Sequence, residues 1–223
     1  MLKERAFHLE DSEESGSKRI SRVKTYKTEM GPLFLRSCCS PALIEGLQAD
    51  EGLCAFARLP EREHQLLLSL ARRPENRITL AYTATGKIVG QATLAPLDNW
   101  WQGIGNAYEV AVEVSPDWRK LGVAHSLLSL ALDFGLLEEY LIVGLGLSWH
   151  WDYEGLGMSR FHYREMIARL FAAHGFAEYL TSEPNICMDP ANILVARLGV
   201  RLKEESMNRF FECLLRSETL PGL

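Results

Sequence analysis

The segment from Tyr108 to Glu138 constrains the fold of this chain more than any other part of the sequence. Its first part, Tyr108–Val114 (YEVAVEV), alternates strictly in side-chain character and predicts a β-strand. The turn Ser115-Pro116-Asp117 ends this strand. The following stretch, Val123–Glu138, has apolar residues at helical spacing, at positions 123, 127, 130, 131, 134 and 137. The sequence therefore predicts a strand, a turn and an amphipathic helix in close succession.

The turn contains the pattern Arg119-x-x-Gly122-x-Ala124. Small residues at 122 and 124 let a ligand approach the backbone amides closely. These amides lie at a helix N-terminus, where unpaired N–H groups and the helix dipole favour an anion. Arg119 and Lys120 add positive charge. The pattern indicates a phosphate-binding turn, and the alternative is a plain connection in which the glycine only relieves crowding.

The rest of the chain predicts strands and helices on both sides of this segment. The earlier ones are a strand, a helix and the two strands of a hairpin: Met30–Arg36, Pro60–Arg73, Ile78–Thr83 and Ile88–Leu94. The later ones are a buried strand, a helix, a short strand and two helices: Tyr140–Leu147, Ser159–His174, Phe176–Leu180, Pro190–Leu198 and Lys203–Arg216. This order predicts an α/β fold in which an antiparallel sheet passes into a parallel pair with a crossover helix.

Composition and net charge limit the partners and the cellular compartment that the sequence predicts. The net charge of −5 argues against nucleic-acid or anionic-membrane binding, because neutralising phosphates needs a basic surface. Residues 1–24 predict a polar, poorly ordered tail without the apolar stretch of a signal peptide, and 25–223 predict a single domain with a C-terminal helical extension. Cysteines at 38, 39, 54, 187 and 213 lack metal-ligand spacing. We expect free thiols, no metal and a cytoplasmic protein without a membrane span.

Through Arg119, Gly122 and Ala124 the sequence resembles the GNAT superfamily, whose motif Q/R-x-x-G-x-G/A lies between its fourth strand and third helix. The resemblance implies a GNAT (acyl-CoA N-acyltransferase) fold, with a mixed central sheet flanked by helices, and acetyl-CoA as co-substrate. It also implies that the pantetheine arm and pyrophosphate of CoA are held by Val112, Val114, Arg119, Lys120, Leu121, Gly122, Val123, Ala124 and His125.

Two positions depart from the usual GNAT pattern. Leu121 lies where many members have a second glycine, and Phe171 lies where the family usually has a tyrosine. That tyrosine commonly donates a proton to the leaving thiolate, so its usual position cannot supply the proton here. Tyr163, one helical turn before Ile167, is our candidate for this role.

Less common segments carry a closer resemblance, which covers the chain from about Met30 to Arg216. They are Gly31-Pro32, Asp50-Glu51-Gly52-Leu53, Ala55-Phe56, Trp149-His150-Trp151-Asp152, Tyr163-Arg164 and Pro190-Ala191-Asn192. In these segments the sequence is similar to the acetoin-utilisation acetyltransferases. The resemblance implies that the partner and protein substrate is the AMP-forming acetyl-CoA synthetase, which acetylation of a lysine inactivates.

Acetyl transfer to lysine requires a base, because the lysine ammonium has a pKa of about 10.4. GNAT enzymes often have this base ten or eleven residues before the motif arginine, which points to Glu109, or to its neighbour Tyr108 if a bulge shifts the register. Period-2 alternation puts Glu113 on the same face as Glu109. For Glu113 we expect a surface position or a salt bridge.

His150 follows the strand Tyr140–Leu147, at the edge where ligands often enter α/β sheets. It is a candidate second base or substrate contact, and a packed structural histidine is the alternative. Trp149 and Trp151 either line a channel for the lysine or belong to the core. His125 either contacts a phosphate or is solvated. No cysteine has the sequence context of a nucleophile, so we expect direct transfer without an acyl-enzyme.

Three functions remain open from the sequence. The first is a protein-lysine acetyltransferase that acts on acetyl-CoA synthetase. The second keeps the fold and the co-substrate but acetylates a small amine. The third is a regulatory partner that binds CoA and inhibits the synthetase by docking with little catalysis, and the departure at Phe171 keeps this alternative open.

Overall fold

The computed structural model describes residues 9–10, 21–97 and 99–216. These residues form two compact units. The first contains the described residues up to Leu94 together with Ala111–Asp133, and the second contains those of Ala95–Val110 and those from Phe134 onwards. The strand Ala107–Val114 contributes residues to both units.

The first unit is a mixed sheet with helices on its two faces. Its elements are β1 (Leu9–Glu10), β2 (Ser21–Thr28), β3 (Gly31–Arg36), α1 (Pro41–Glu45), β4 (Gln48–Ala49), α2 (Pro60–Ala71), β5 (Arg77–Thr83), β6 (Lys87–Pro96, as far as Leu94), the second half of β7 (Ala107–Val114) and α3 (Val123–Ala131). Strands β1, β2, β3, β5 and β6 are antiparallel neighbours in that order. The short β4 pairs in parallel with β6. The predicted hairpin is confirmed, and its Gly86 has a φ of 81°.

Alternation along the strands divides the core of this unit between the two faces of the sheet. On one face, α3 packs on β3, β5 and β6 through Leu33, Leu35, Ala81, Val89, Ala92, Val123, Leu127 and Ala131. On the other face, α1 and α2 pack through Ile44, Leu67, Ile78, Leu80 and Ile88. Successive residues such as Ile88 and Val89 therefore serve opposite cores, as the period of two requires.

The second unit contains strands of mixed direction. Its elements are the first half of β7, β8 (Leu141–Gly146), α4 (Arg160–Ala172), β9 (Ala177–Tyr179), α5 (Pro184–Cys187), β10 (Ile193–Leu198) and α6 (Glu204–Leu214). Strands β7 and β8 are parallel, with Glu109 opposite Val143, and β10 runs antiparallel to both β8 and β9. Helix α6 packs on β8 and β10 around the fully buried Phe210. The prediction of a mixed sheet flanked by helices, including the parallel pair, is confirmed.

Two element predictions after the phosphate-binding turn are wrong. Pro190–Leu198 was predicted as a helix, but Ile193–Leu198 is strand β10, which pairs with β8 along its whole length. The helix predicted over Val123–Glu138 ends at Ala131, and Leu137–Glu139 is a separate 3-10 turn. The intervening Asp133-Phe134-Gly135 contains a glycine, which is unfavourable inside a helix.

The predicted tail needs a correction as well. Ser21–Lys24 begins β2, which pairs with β3, and Leu9–Glu10 forms the short strand β1 beside it. The rest of the predicted tail lies outside the described residues. The prediction of a single domain over 25–223 stays a prediction.

Gly199 gives a test of the packing in the second unit. A Cβ at this position would lie within 3.0 Å of the Glu138 backbone, including its carbonyl oxygen. Because backbone atoms cannot move aside cheaply, we expect Gly199→Ala to lower the free energy of unfolding by about 3 kcal/mol. Urea denaturation measures this change. The matched control is Gly135→Ala, where an added Cβ meets no described atom within 4 Å; equal losses in the two variants would contradict the prediction.

Candidate functional site

The predicted phosphate-binding turn has a left-handed glycine at the start of α3. Gly122 is the N-cap of this helix, its φ is 75°, and no side chain caps the helix. The N–H of Ser126 donates to the Gly122 carbonyl at 3.1 Å, which begins the helical bonding. The first N–H groups of a helix, here those of Val123 and Ala124, have no acceptor within the helix itself. The start of α3 therefore has the donors that an anion needs.

Tyr26 of β2 fixes this turn from the side. Its hydroxyl donates to the Leu121 carbonyl at 2.7 Å, and a Cβ at Gly122 would lie 2.6 Å from the same hydroxyl. A larger residue at 122 would therefore collide with Tyr26 as well as strain the backbone. No local pattern predicts this contact, because Tyr26 precedes Leu121 by 95 residues.

Of the remaining turn residues, some hold the turn in place and others lie at the surface. Arg119 donates through Nε to the Val114 carbonyl at 3.0 Å, so its side chain ties the turn back to the end of β7. Lys120 is exposed, with a φ of 60°. His125 is exposed in the first turn of α3, and Ala124 is half-buried. The other members of the predicted set, Val112 and Val123, pack into the core beneath the turn.

Glu109, the predicted base, lies in the second unit on β7 and is half-buried. Burial raises the pKa of its carboxyl, and the negative charge of Glu183 raises this pKa further. Glu183 is itself buried, and its carboxylate accepts hydrogen bonds from the Ile186 N–H at 2.8 Å and the Asn185 side chain at 2.9 Å. Glu109 therefore holds a proton more tightly than a carboxyl in water. Sequence reasoning missed Glu183, because a single glutamate outside any motif gives no signal.

The aromatic residues predicted near the acceptor are brought together in the second unit. The rings of Trp151 and Tyr163 stack at a centroid distance of 5.2 Å. His150 lies in a 3-10 turn after β8, half-buried, with its ring 6.0 Å from that of Trp149. Tyr108, the alternative to Glu109, is buried and stacks on Tyr140 at 5.3 Å.

Phe171 is buried in the second unit. Its side chain is buried, stacks edge-on against Phe176, and would meet a Cβ placed on Gly144 of β8. This position supplies no hydroxyl, so the chain lacks the proton donor that GNAT enzymes usually have there. The half-buried Tyr163 stays the candidate for this role.

Hydrogen bonds join residues 189–192 to Ser148, the residue just before Trp149-His150-Trp151-Asp152. Asn192 accepts from the Ser148 N–H at 2.7 Å, and its amide donates to the Asn185 carbonyl at 2.7 Å. Asp189 accepts from the Ser148 hydroxyl at 3.0 Å and from Arg160 at 2.8 Å. The Ala191 N–H, with these partners, keeps the pKa of Asp189 below its usual value. Residues 189–192 therefore fix the start of the Ser148–His150 turn.

Glu113 is buried, contrary to the surface or salt-bridge position predicted for it. Its Oε1 accepts from the N–H groups of Cys54 and Ala55, both at 2.8 Å. Gln91 donates to Glu113 Oε2 at 3.2 Å and to Glu63 Oε1 at 2.8 Å. The alternation of burial along β7 breaks at Ala111 and Val112, which are both half-buried, so the inward position moves to 113.

The burial of Glu113 predicts a dependence of stability on pH. Burial, together with the charge of Glu63, raises its pKa from 4.5 to about 7. Because the folded state holds this proton more tightly, the stabilisation is complete below pH 4.5 and is lost as the pH rises through 7. We expect the wild type to lose about 3 kcal/mol relative to Glu113→Gln between pH 4.5 and 8. Urea denaturation across this range is the measurement, and parallel curves would contradict the prediction.

Comparisons with known proteins identify the family and the fold. The acetyltransferase (GNAT) family matches residues 44–146. The acetoin utilization protein AcuA of Bacillus subtilis (strain 168) is 34% identical over 197 residues, which cover 84% of this chain and 93% of that protein. The chain belongs to the AcuA family. The AcuA protein of Bacillus licheniformis is 33% identical over 194 residues, covering 84% of this chain and 91% of that protein.

A solved structure of an acetoin utilization protein supports the same fold. The crystal structure of the acetoin utilization protein from Exiguobacterium sibiricum 255-15 superposes with a TM-score of 0.83 at 29% identity, covering 88% of this chain and 94% of that one. The chain thus has the GNAT acetyltransferase fold, and acetyl-CoA is the acetyl donor of that family.

Within 9–10, 21–97 and 99–216, no helix is long and apolar enough to cross a membrane. In the same ranges, His, Cys, Asp and Glu side chains form no group of three or more that is arranged to hold a metal ion. The five cysteines, all described, are free thiols.

Proposed function

We propose that this AcuA-family chain is a protein-lysine N-acetyltransferase that uses acetyl-CoA to modify, and thereby inactivate, AMP-forming acetyl-CoA synthetase. The observation that carries the proposal is the similarity to two acetoin utilization proteins over 84% of the chain. The lysine and the synthetase come from the resemblance to acetoin-utilisation acetyltransferases. The five free thiols fit the reducing cytoplasm, which is our proposed location.

Acetyl-CoA supplies the acetyl group as a thioester, and the turn before α3 is our proposed site for its pyrophosphate. Val123, Ala124 and His125 would donate backbone N–H groups, while Lys120 adds charge. Gly122 supports this role because it has no side chain that could cap α3, and the Tyr26 bond supports it by holding the Leu121 carbonyl just before the helix. Arg119, bonded to Val114, would keep the turn in shape, and the backbone of Val112 and Val114 would pair with the pantetheine arm.

Glu109 is our proposed general base. The acceptor ammonium must lose a proton before its nitrogen can bond to the acetyl carbon. A carboxylate in water is a weak base for this purpose, and the raised pKa of Glu109 brings it closer to the working pH. His150 is the second candidate for base or substrate contact, and its place in the turn fixed by Asn192 supports a defined position.

Tyr163 is our proposed acid. When the C–S bond of the thioester breaks, the departing sulfur needs a proton, and the Tyr163 hydroxyl would supply it. The stacking of Tyr163 on Trp151 supports this role by restricting the orientation of its ring. Transfer would be direct, because no cysteine in the sequence has the context of a nucleophile.

The test is incubation of the purified chain with acetyl-CoA and the AMP-forming synthetase, followed by peptide mass spectrometry and an assay of synthetase activity. We expect an acetylated lysine to appear as synthetase activity falls, and both changes to be absent with Glu109→Gln. A panel of small amines, with detection of released thiol, runs in parallel. Modification of small amines alone would contradict the protein substrate. Undiminished inhibition by Glu109→Gln would indicate a partner that acts by docking.

A further inference from the structure

Buried carboxylates hold the 50–57 segment (DEGLCAFA), which follows β4 and leads towards α2. Glu113 accepts from Cys54 and Ala55, and Glu63 accepts from the Ala57 N–H at 2.8 Å. Glu63 is 0% exposed and Glu113 is 7% exposed. The side-chain amide of Gln91 donates a hydrogen bond to each of them. Burying carboxylates is costly unless hydrogen bonds compensate. The backbone of the segment supplies these bonds, so segment and carboxylates fix each other.

The beginning of the 50–57 segment packs against the residues that follow β7. Asp50 accepts from the Ser115 hydroxyl and, at 3.0 Å, from the Gly52 N–H. A Cβ on Gly52 would lie within 3.0 Å of both Ser115 and Pro116. Only a glycine therefore fits between the segment and this turn. Pro116 begins the 3-10 turn Pro116–Trp118, and the next residue in the chain is Arg119.

We propose that Glu113 is a positioning residue for acetyl-CoA binding, because it holds the 50–57 segment against Ser115 and Pro116 and thereby fixes the backbone that enters the phosphate-binding turn. The inference rests on the acetyl-CoA site proposed above. It gives Glu113 a task distinct from that of Glu109: its bonds are to backbone N–H groups and to Gln91, and it moves no proton of the substrate.

The test measures the dissociation constant for acetyl-CoA by calorimetry, without any acceptor. Small misplacements of binding groups cost large factors, so we expect Gly52→Ala and Glu113→Ala each to raise this constant about ten-fold or more. Glu113→Gln keeps an oxygen for the Cys54 and Ala55 N–H groups and should stay within about three-fold of the wild type. In turnover assays, Gly52→Ala should raise KM for acetyl-CoA and leave kcat nearly unchanged.

The control for general destabilisation is Phe210→Leu, which alters the buried cluster of the second unit and should leave the dissociation constant unchanged. Wild-type affinity in both Gly52→Ala and Glu113→Ala would overturn the inference. An equal loss in Glu113→Gln and Glu113→Ala would also overturn it, since the charge would then matter more than the bonds to the segment. If Glu113→Ala does not fold, Gly52→Ala decides alone. Absence of binding by the wild type would instead contradict the proposed function.

Discussion

Replacing Glu109 with glutamine is expected to lower kcat for acetyl transfer by a factor of about 10²–10⁴, the usual contribution of a general base. Glutamine keeps the size of the side chain and its place on β7 but cannot accept the proton of the acceptor ammonium. The affinity for acetyl-CoA should not change, because the proposed binding groups are backbone donors of the turn before α3. Single-turnover assays and calorimetry measure the two quantities separately.

Glu183→Gln is the matched comparison for this variant. It removes the negative charge that raises the pKa of Glu109 and retains an oxygen for the Ile186 N–H. We expect its activity to persist, with the acid limb of the pH–rate profile moved to lower pH. If Glu109→Gln keeps a kcat within three-fold of the wild type, roughly the scatter of such assays, Glu109 is not the base. A large loss of kcat in His150→Asn would then indicate that His150 is the general base.

Gly122→Ala is expected to raise the dissociation constant for acetyl-CoA about 30-fold or more. A left-handed conformation costs a non-glycine residue about 1–2 kcal/mol, and the new methyl group would also lie 2.6 Å from the Tyr26 hydroxyl. The backbone must shift to relieve the strain and the collision, and the N–H groups of Val123 and Ala124 would move with it. Calorimetry with acetyl-CoA is the measurement.

Tyr26→Phe distinguishes the backbone strain at position 122 from the collision with the Tyr26 hydroxyl. Alone, it removes the bond to Leu121 and should cost about 1 kcal/mol of stability. Combined with Gly122→Ala, it makes room for the methyl group, so the double variant should regain part of the affinity that Gly122→Ala loses. A double variant as weak as Gly122→Ala would assign the effect to backbone strain alone. Unchanged affinity in Gly122→Ala would contradict the phosphate-binding role of the turn.

Local patterns were sufficient to predict several elements. The period of two in Tyr108–Val114 gave the strand β7, and Gly86 marked the hairpin between β5 and β6. Ser159 was correctly placed at the start of α4, where its hydroxyl caps the helix by accepting from the His162 N–H. In each case, the residues that determine the structure are neighbours in sequence.

Strand β10 shows where such patterns are not enough. Pro190 satisfies the rule for the first position of a helix, while Ile193–Val195 is apolar on every residue and fits a buried strand equally well. Pairing with β8, more than 40 residues earlier in the chain, decides between the two. The burial of Glu113 has a similar origin, because its partners Cys54, Gln91 and Glu63 are all distant in sequence.

The candidate site was predictable to the extent that it depends on a contiguous motif. Arg119, Gly122 and Ala124 lie within one turn, and the positive φ of Gly122 agrees with the expected freedom of a glycine. The partners that shape this turn come from β2 and the 50–57 segment, and no local rule reveals them. The influence of Glu183 on Glu109 likewise arises only when the second unit is folded.

The position of Tyr26 has a consequence for how the protein can be shortened. A variant that begins at Met30 keeps the whole motif but loses β2, so the Leu121 carbonyl loses its donor. The β2-facing side of Gly31–Arg36 would then present unpaired backbone groups, which invite pairing between molecules. Such a variant should self-associate and handle its co-substrate poorly. Strand β2 is therefore part of the functional unit, although the family motif begins about ninety residues after it.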